Sequence, residues 1–404
     1  MKKSYLMMAA AATMFAACTQ ADFVNDIPEQ TPKAIEFKNG YIGKSTRSEN
    51  STSNYTLNFY DHHNSFSVWG YKSTADDAVF NGKRVNVTKG SEAQSEIYSY
   101  DGLVYWDEGS KFYEFYAAAP ADHDWKFTAP APGSEDKKDG YFTTKIELDP
   151  TRINQGKGAH LASLKPIPEN EEYVKNNDLL IAAPCSPAIG TTVNLEFIHI
   201  LSRLNIIVSK KGGMTQEVRT FEVSVNNMDI YGEFCEKNDA ISKEDLAKGT
   251  YRRWTLGSEA TEGNPGTRVK KNYIAESEVG AILQDDVVRY VIQTLVIPQS
   301  VRYENIPING EGVTEANQPY LRIVYGVENG RVNGEPTFEK FTKYYNLANI
   351  FGKTDELAFN EGWENTLKLT IGPKSIAFSA TVAALASATN HENSLGHQDQ
   401  PSNQ

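Results

Sequence analysis

Few side chains in this 404-residue chain are spaced for chemistry, and most of those stand alone. Asp61-His62-His63 is the densest candidate metal cluster. Successive residues of a strand point to opposite faces, so the two histidines could share a metal only in a turn. A solvated turn is the expected setting. His199 shares an alternating face with Leu195 and Phe197 and reads as a satisfied core histidine rather than a base. Asp285-Asp286 and the scattered acids read as solvated loop charge, without the spacing of a calcium-binding EF-hand loop. No nucleophile elbow, zinc-protease helix, P-loop or dinucleotide fingerprint occurs. We therefore expect no enzyme, no cofactor and no metal. Cys185 and Cys235 leave two alternatives open, one disulfide or two separate thiols.

Cys18 belongs to a different chemistry. Lys2 and Lys3 precede a short apolar core, Leu6 to Phe15, and then Ala16-Ala17-Cys18. The core is too short to span a bilayer as a helix, which takes ~20 apolar residues. Small-small-Cys after such a core is a bacterial lipoprotein signal, in which the thiol is acylated and anchors the chain to a membrane. Phe15 stands where a leucine is usual; the plainer alternative is a cleaved signal with an incidental cysteine. A second modification candidate is Arg47, inside the Ser/Thr/Asn-rich stretch Gly43 to Tyr55. Exposed polar loops concentrate proteolysis, although a solvated arginine needs no such role.

The rest of the chain reads as strands. Tyr (21) and Phe (18) far outnumber Met (6), a bias toward sheet. The central stretch is Thr191 to Lys210. Val193, Leu195 and Phe197 alternate, then Leu204, Ile206 and Val208 alternate out of phase, with a break at Ile200 to Arg203 that must re-aim the strand. Ala34-Ile35-Glu36-Phe37-Lys38 is a short alternating strand. Phe66 to Tyr71 is another, and Asn81-Gly82 signals a hairpin. Val104-Tyr105-Trp106 and Phe112 to Tyr116 form an aromatic pair suited to packing between sheets, or alternatively to a sugar-binding face. Tyr320 to Tyr325 leads to a turn over Gly326 to Gly334. One short helix is expected within Asp239 to Gly249. Ile376, Phe378, Ala380 and Val382 share a face of the last strand. The expected fold is all-β, two tandem β-sandwich domains. Residues 1–17 form the signal, 18–47 carry a polar tether and the first strand, 48–187 and 188–385 form the two sandwiches, and 386–404 a polar tail. A net charge of −12 without a basic run argues against a nucleic-acid partner.

In order, these segments resemble the fimbrillin family of Bacteroidota, the FimA- and Mfa-like pilins. The resemblance rests on Cys18, Ile35-Glu36-Phe37 before Thr46-Arg47-Ser48, FSVWGY from Phe66, DLLIA from Asp178, FIHILSRLNIIV from Phe197 and IGPKSIAFSATV from Ile371. It implies transthyretin-like topology in both sandwiches and export as an outer-membrane lipoprotein, acylated at Cys18. It also implies cleavage by an Arg-specific protease between Arg47 and Ser48, with loss of the strand carrying Ile35 and Phe37. The vacated groove would receive a strand from another fimbrial subunit, and the donor candidates are Ile376, Phe378, Ala380 and Val382. The implied partners are other subunits, the membrane through the lipid, and a host or bacterial surface ligand. Independently, Ile35-x-Phe37 and Ile376-x-Phe378 are the same apolar dyad. The alternative function is a non-polymerising surface lipoprotein that binds glycans or anchors a fimbria with its prosegment retained.

Overall fold

The computed structural model describes residues 32–384 apart from 39, 43–56, 62, 73, 92–94, 131–139, 150–157, 161–177, 238–249, 252, 258–269, 276–280, 284–286, 303–318, 354–355 and 374. The signal, Cys18, Arg47, Ser48, the expected helix and the polar tail lie outside the described residues. Ten strands lead up to the central stretch: β1 (Tyr41–Ile42), β2 (Leu57–Asn58), β3 (Ser65–Lys72), β4 (Thr74–Lys89), β5 (Glu96–Ser99), β6 (Tyr113–Ala119), β7 (Lys126–Thr128), β8 (Tyr141–Glu147), β9 (Gly158–His160) and β10 (Leu180–Ala182). The next eight are β11 (Glu196–His199), β12 (Ser202–Lys210), β13 (Val218–Asp229), β14 (Tyr231–Cys235), β15 (Thr250–Tyr251), β16 (Trp254–Leu256), β17 (Lys270–Ala275) and β18 (Ala281–Leu283). Last come β19 (Val287–Val296), β20 (Gln299–Arg302), β21 (Tyr320–Val332), β22 (Glu335–Asn346), the one-turn helix α1 (Leu347–Ile350), β23 (Glu356–Phe359), β24 (Trp363–Ile371) and β25 (Ile376–Ala384).

The break in the central stretch is where the chain changes sheets. β11 lies in an eight-stranded sheet of order β2-β1-β11-β10-β6-β3-β4-β5. After the turn at Ile200-Leu201, β12 becomes the middle strand of a second sheet, β25-β24-β12-β19-β9. Two apolar residues in succession, both fully buried, break the alternation and let the strand switch faces. The Trp254 indole N–H donates to the Ile200 carbonyl at 2.9 Å and holds the turn. A third sheet, β17-β13-β21-β22, has its apolar face in the same buried cluster as β12 and β24, and the two make a sandwich.

The chain is an all-β sandwich protein, and the expected boundary between its halves is residue 187. That boundary would separate β10 from β11, which are paired neighbours. β9 joins the second sheet, and β14 to β16 extend the sheet of β7 and β8. Phe127 and Phe142 of that sheet pack on Trp69 and Tyr116 of the eight-stranded sheet, with ring centroids 4.8–5.4 Å apart. One buried cluster therefore runs from Trp69 to Ile376 across both halves.

Two of the chain's Asn-Gly pairs behave differently. Asn81-Gly82 lies inside β4, not in a hairpin. Val68 pairs with Lys83 and Gly70 with Phe80, so β4 holds one extra residue there. Gly82, at φ +66°, forms the resulting bulge beneath the Trp69 ring. The reason is length: β3 runs eight residues and its partner needs the pair as a twist, not an end. The expected turn over Gly326 to Gly334 shrinks to Asn333-Gly334, both at positive φ, because β21 continues to Val332.

His63, expected in a solvated turn, is instead 5% exposed. It follows a 3-10 turn, Phe59–Asp61, and faces a buried pair in which His199 Nδ1 lies 2.5 Å from Asp178 Oδ2. His199 is thus the satisfied core histidine expected. Burial lowers the His63 pKa from 6.5 to about 4, opposed by the nearby Asp178 carboxylate and assisted by His199. The unfolded chain takes up this proton near pH 6.5, whereas the fold resists it until about 4. Stability from this group is therefore full above 6.5 and is lost as pH falls through that window, by about 3 kcal/mol in all. Denaturant titrations from pH 7 to pH 4 should show this loss, and His63→Gln should flatten it. An equally steep fall in the variant would assign the effect to other groups.

Candidate functional site beneath residues 33–38

Alternation in Ala34 to Lys38 is realised as predicted: Ile35 and Phe37 are buried, Glu36 and Lys38 exposed. The segment is extended but is not a regular strand. It makes two isolated bridges, Ala34 with Tyr105 and Phe37 with Val193, because its neighbours on both sides are loops. Backbone bonds tie both its edges. Ile35 N donates to Val104 O (2.8 Å) and Trp106 N to Lys33 O (2.9 Å). On the other side Lys38 N donates to Val193 O (3.1 Å) and Val193 N to Glu36 O (2.8 Å).

Phe37 is the knob. Its ring makes edge contacts with Phe66, Phe80, Tyr100 and Phe115, at centroid separations of 6.0, 5.7, 5.9 and 6.0 Å. Such pairs contribute ~0.5–1.5 kcal/mol each beyond the area they bury. Phe66, Phe80 and Phe115 project from one face of β3, β4 and β6, as the period of 2 requires. Ile35, Ile42, Val193 and Leu195 complete this core, which is separate from the larger one.

Two tyrosines hold the segment's backbone. The Tyr100 hydroxyl donates to the Ile35 carbonyl at 2.7 Å. Gly40 N donates to the Tyr98 hydroxyl at 2.9 Å, and that hydroxyl donates to the Glu96 carboxylate. Burial raises the pKa of both, reinforced at Tyr98 by Glu96, so both stay protonated. A Cβ at Gly40 would meet the Tyr98 oxygen at 2.9 Å, so glycine lets the chain pass this close. Sequence reading assigned these tyrosines no role. Their partners are 58 and 65 residues away, and alternation shows only that they share a strand region. It also missed β1, which follows Gly40 and is inserted between β2 and β11, parallel to β11.

The other expected residues lie elsewhere. β25 pairs with β24 from Ile371↔Ile376 to Trp363↔Ala384. Ile376 is buried, Phe378 and Ala380 pack on the larger core, and Val382 is 39% exposed. The Phe378 ring is 4.6 Å from that of Tyr345. Within one chain the two Ile-x-Phe dyads therefore occupy different cores. Trp106, Tyr113, Phe115 and Tyr116 are buried, the packing alternative for the aromatic pair, whereas Tyr105 is exposed. Cys185 and Cys235 are free thiols. Among the described residues no group of three His, Cys, Asp or Glu could hold a metal, and no helix is long and apolar enough to cross a membrane.

The sheets form a sandwich, and the N-terminal segment is bound as a separate cover over an aromatic groove. The family model described as fimbrillin-like matches residues 46–384, and the chain belongs to that family, one of fimbrial structural and adhesion proteins rather than of enzymes. Among solved structures, a fimbrial protein from Bacteroides vulgatus is similar at 12% identity and TM-score 0.48, over 86% of this chain and 100% of that one. The tip fimbrial protein Mfa3 from Porphyromonas gingivalis, with C-terminal truncation, is similar at 8% identity and TM-score 0.35, over 81% of this chain and 96% of that one. No curated protein matches.

Truncating the knob leaves a cavity among four rings. Phe37→Ala should destabilise the uncleaved chain by ~3–5 kcal/mol in denaturant unfolding and abolish amide protection at Lys38 and Val193. An unchanged midpoint would mean that the segment contributes no cover.

Proposed function

We propose that this chain is a fimbrial subunit delivered to the outer membrane as a lipoprotein acylated at Cys18, matured by cleavage between Arg47 and Ser48, and assembled by strand exchange at the cell surface to serve adhesion. One observation carries the reading. The segment that fills the aromatic groove, from Lys33 through Gly40 to β1, lies upstream of Arg47, so one cut frees it as a unit. Losing it would strip Phe37 from four rings and leave the edge of β11 without its parallel neighbour. An open apolar groove beside an unpaired strand edge is a template for strand addition.

The incoming strand must supply apolar knobs two residues apart. Ile376 and Phe378 of a second subunit have that spacing, with Ala380 and Val382 continuing the face. To act as donor, β25 must first leave β24 and its packing on Tyr345. Phe378→Asp would therefore disturb the subunit's own core as well as donation, and the groove is the cleaner place to intervene.

The test begins with protein taken from its own cell surface without boiling. A chain starting at Ser48 and running as a ladder of multimers is expected. Arg47→Ala should leave the segment attached and abolish the ladder. A synthetic peptide of residues 32–42 should block assembly, and the same peptide with Phe37→Asp should not. A monomer still starting at Cys18 would overturn the reading in favour of an anchor or a glycan-binding lipoprotein.

A further inference from the structure

β22 and β25 end their respective sheets, and among the described strands none pairs with the outer edge of either. Both edges lie on the same side of the sandwich, since Tyr345 of β22 contacts Phe378 of β25 across the interior. β25 runs nine residues without a charge or a proline, the devices that usually blunt a free edge. β22 runs twelve residues, and its charges are placed in a pattern.

Phe341 points inward, stacked on Tyr325 at 5.2 Å, so Glu339 and Lys343 share its face. Phe338 points outward, against Phe221 at 6.4 Å, with Lys340, Thr342 and Tyr344 on that face. The strand is self-complementary about Phe341. When a second β22 runs antiparallel on a two-fold axis through this residue, Glu339 faces the other copy's Lys343, and the reverse. Phe338 faces Tyr344, and Lys340 faces Thr342. Opposite charges and aromatic pairs directly across two strands are favourable. A two-fold axis perpendicular to the sheet keeps inner faces inner, so register can move only in steps of two. Moving the axis to Lys340 sets that lysine against itself. Moving it to Thr342 sets Glu339 against Tyr345 and separates the charges. The charge pattern therefore selects one register. Pro336, which lacks an N–H, falls at the end of the paired run, where an edge strand tolerates it.

We propose that the β22 edge docks a second copy of this chain, antiparallel and two-fold, with β25 meeting its counterpart beside it. This contact is lateral and does not depend on cleavage, so it is separable from strand exchange.

Light scattering on the purified full-length chain carrying Arg47→Ala, which keeps the groove filled, should report a dimer that weakens with added salt. Glu339→Lys or Lys343→Glu alone should each raise the dissociation constant about tenfold or more, because both symmetric pairs turn repulsive. The double variant Glu339→Lys/Lys343→Glu restores opposite charges and should recover dimerisation. Monomer at every concentration, or a dimer indifferent to all three variants, would overturn the proposal.

Discussion

The seat of Phe37 is the contact on which the N-terminal part of the protein depends. Four aromatic rings from β3, β4, β6 and the loop after β5 converge on it, and the core they form is separate from the larger one. The back of the same sheet needs no such knob, because Phe127 and Phe142 cover it with a proper second sheet. One face is thus closed by sheet packing and the other by a short segment with few neighbours along the chain. On the function proposed above, that asymmetry lets the cover detach while the rest stays folded. Backbone bonds to Val104, Trp106 and Val193 fix the cover's path, and the Tyr98 and Tyr100 hydroxyls fix its height.

The C-terminal sandwich is built on the opposite plan. Its centre is β12, paired parallel to β24 and antiparallel to β19, with both neighbours long. Its weak point is lateral: β22 and β25 leave two edges on one side. A fimbrial subunit has to present surfaces that other subunits can complete without exposing so much apolar area that it aggregates. Here the apolar groove is filled by the chain's own segment, and the longer of the two edges carries charges. The β21–β22 hairpin also carries its own electrostatic ties, Arg331 bridging Glu328 and Glu217 at 2.8 and 2.9 Å. At exposed positions such pairs contribute little to stability, and the hairpin's order comes from Phe341 and Tyr345 below it.

Much of the fold was legible in the sequence, because a period of 2 is a local property. The alternation of Ile35 and Phe37, the break after His199, and the face shared by Ile376, Phe378 and Ala380 all appear in the structure where the pattern placed them. Local signals failed where a distant neighbour overruled them. Asn81-Gly82 is a hairpin signal until β3 lies alongside and converts it to a bulge under Trp69. His63 is a turn histidine until Asp178 and His199 close over it. Prolines such as Pro184 and Pro187 mark ends of pairing but not which sheet a strand joins, and β10 and β11 pair from either side of them.

The sequence by itself determined which apolar residues face a core and that the protein is all-β, since these follow from side-chain period. Only the tertiary structure decided that Phe37 sits among four rings, that β1 slips between β2 and β11, and that β25 is bound in its own sandwich. Those facts depend on contacts between residues many tens of positions apart, and such contacts leave no period in the chain.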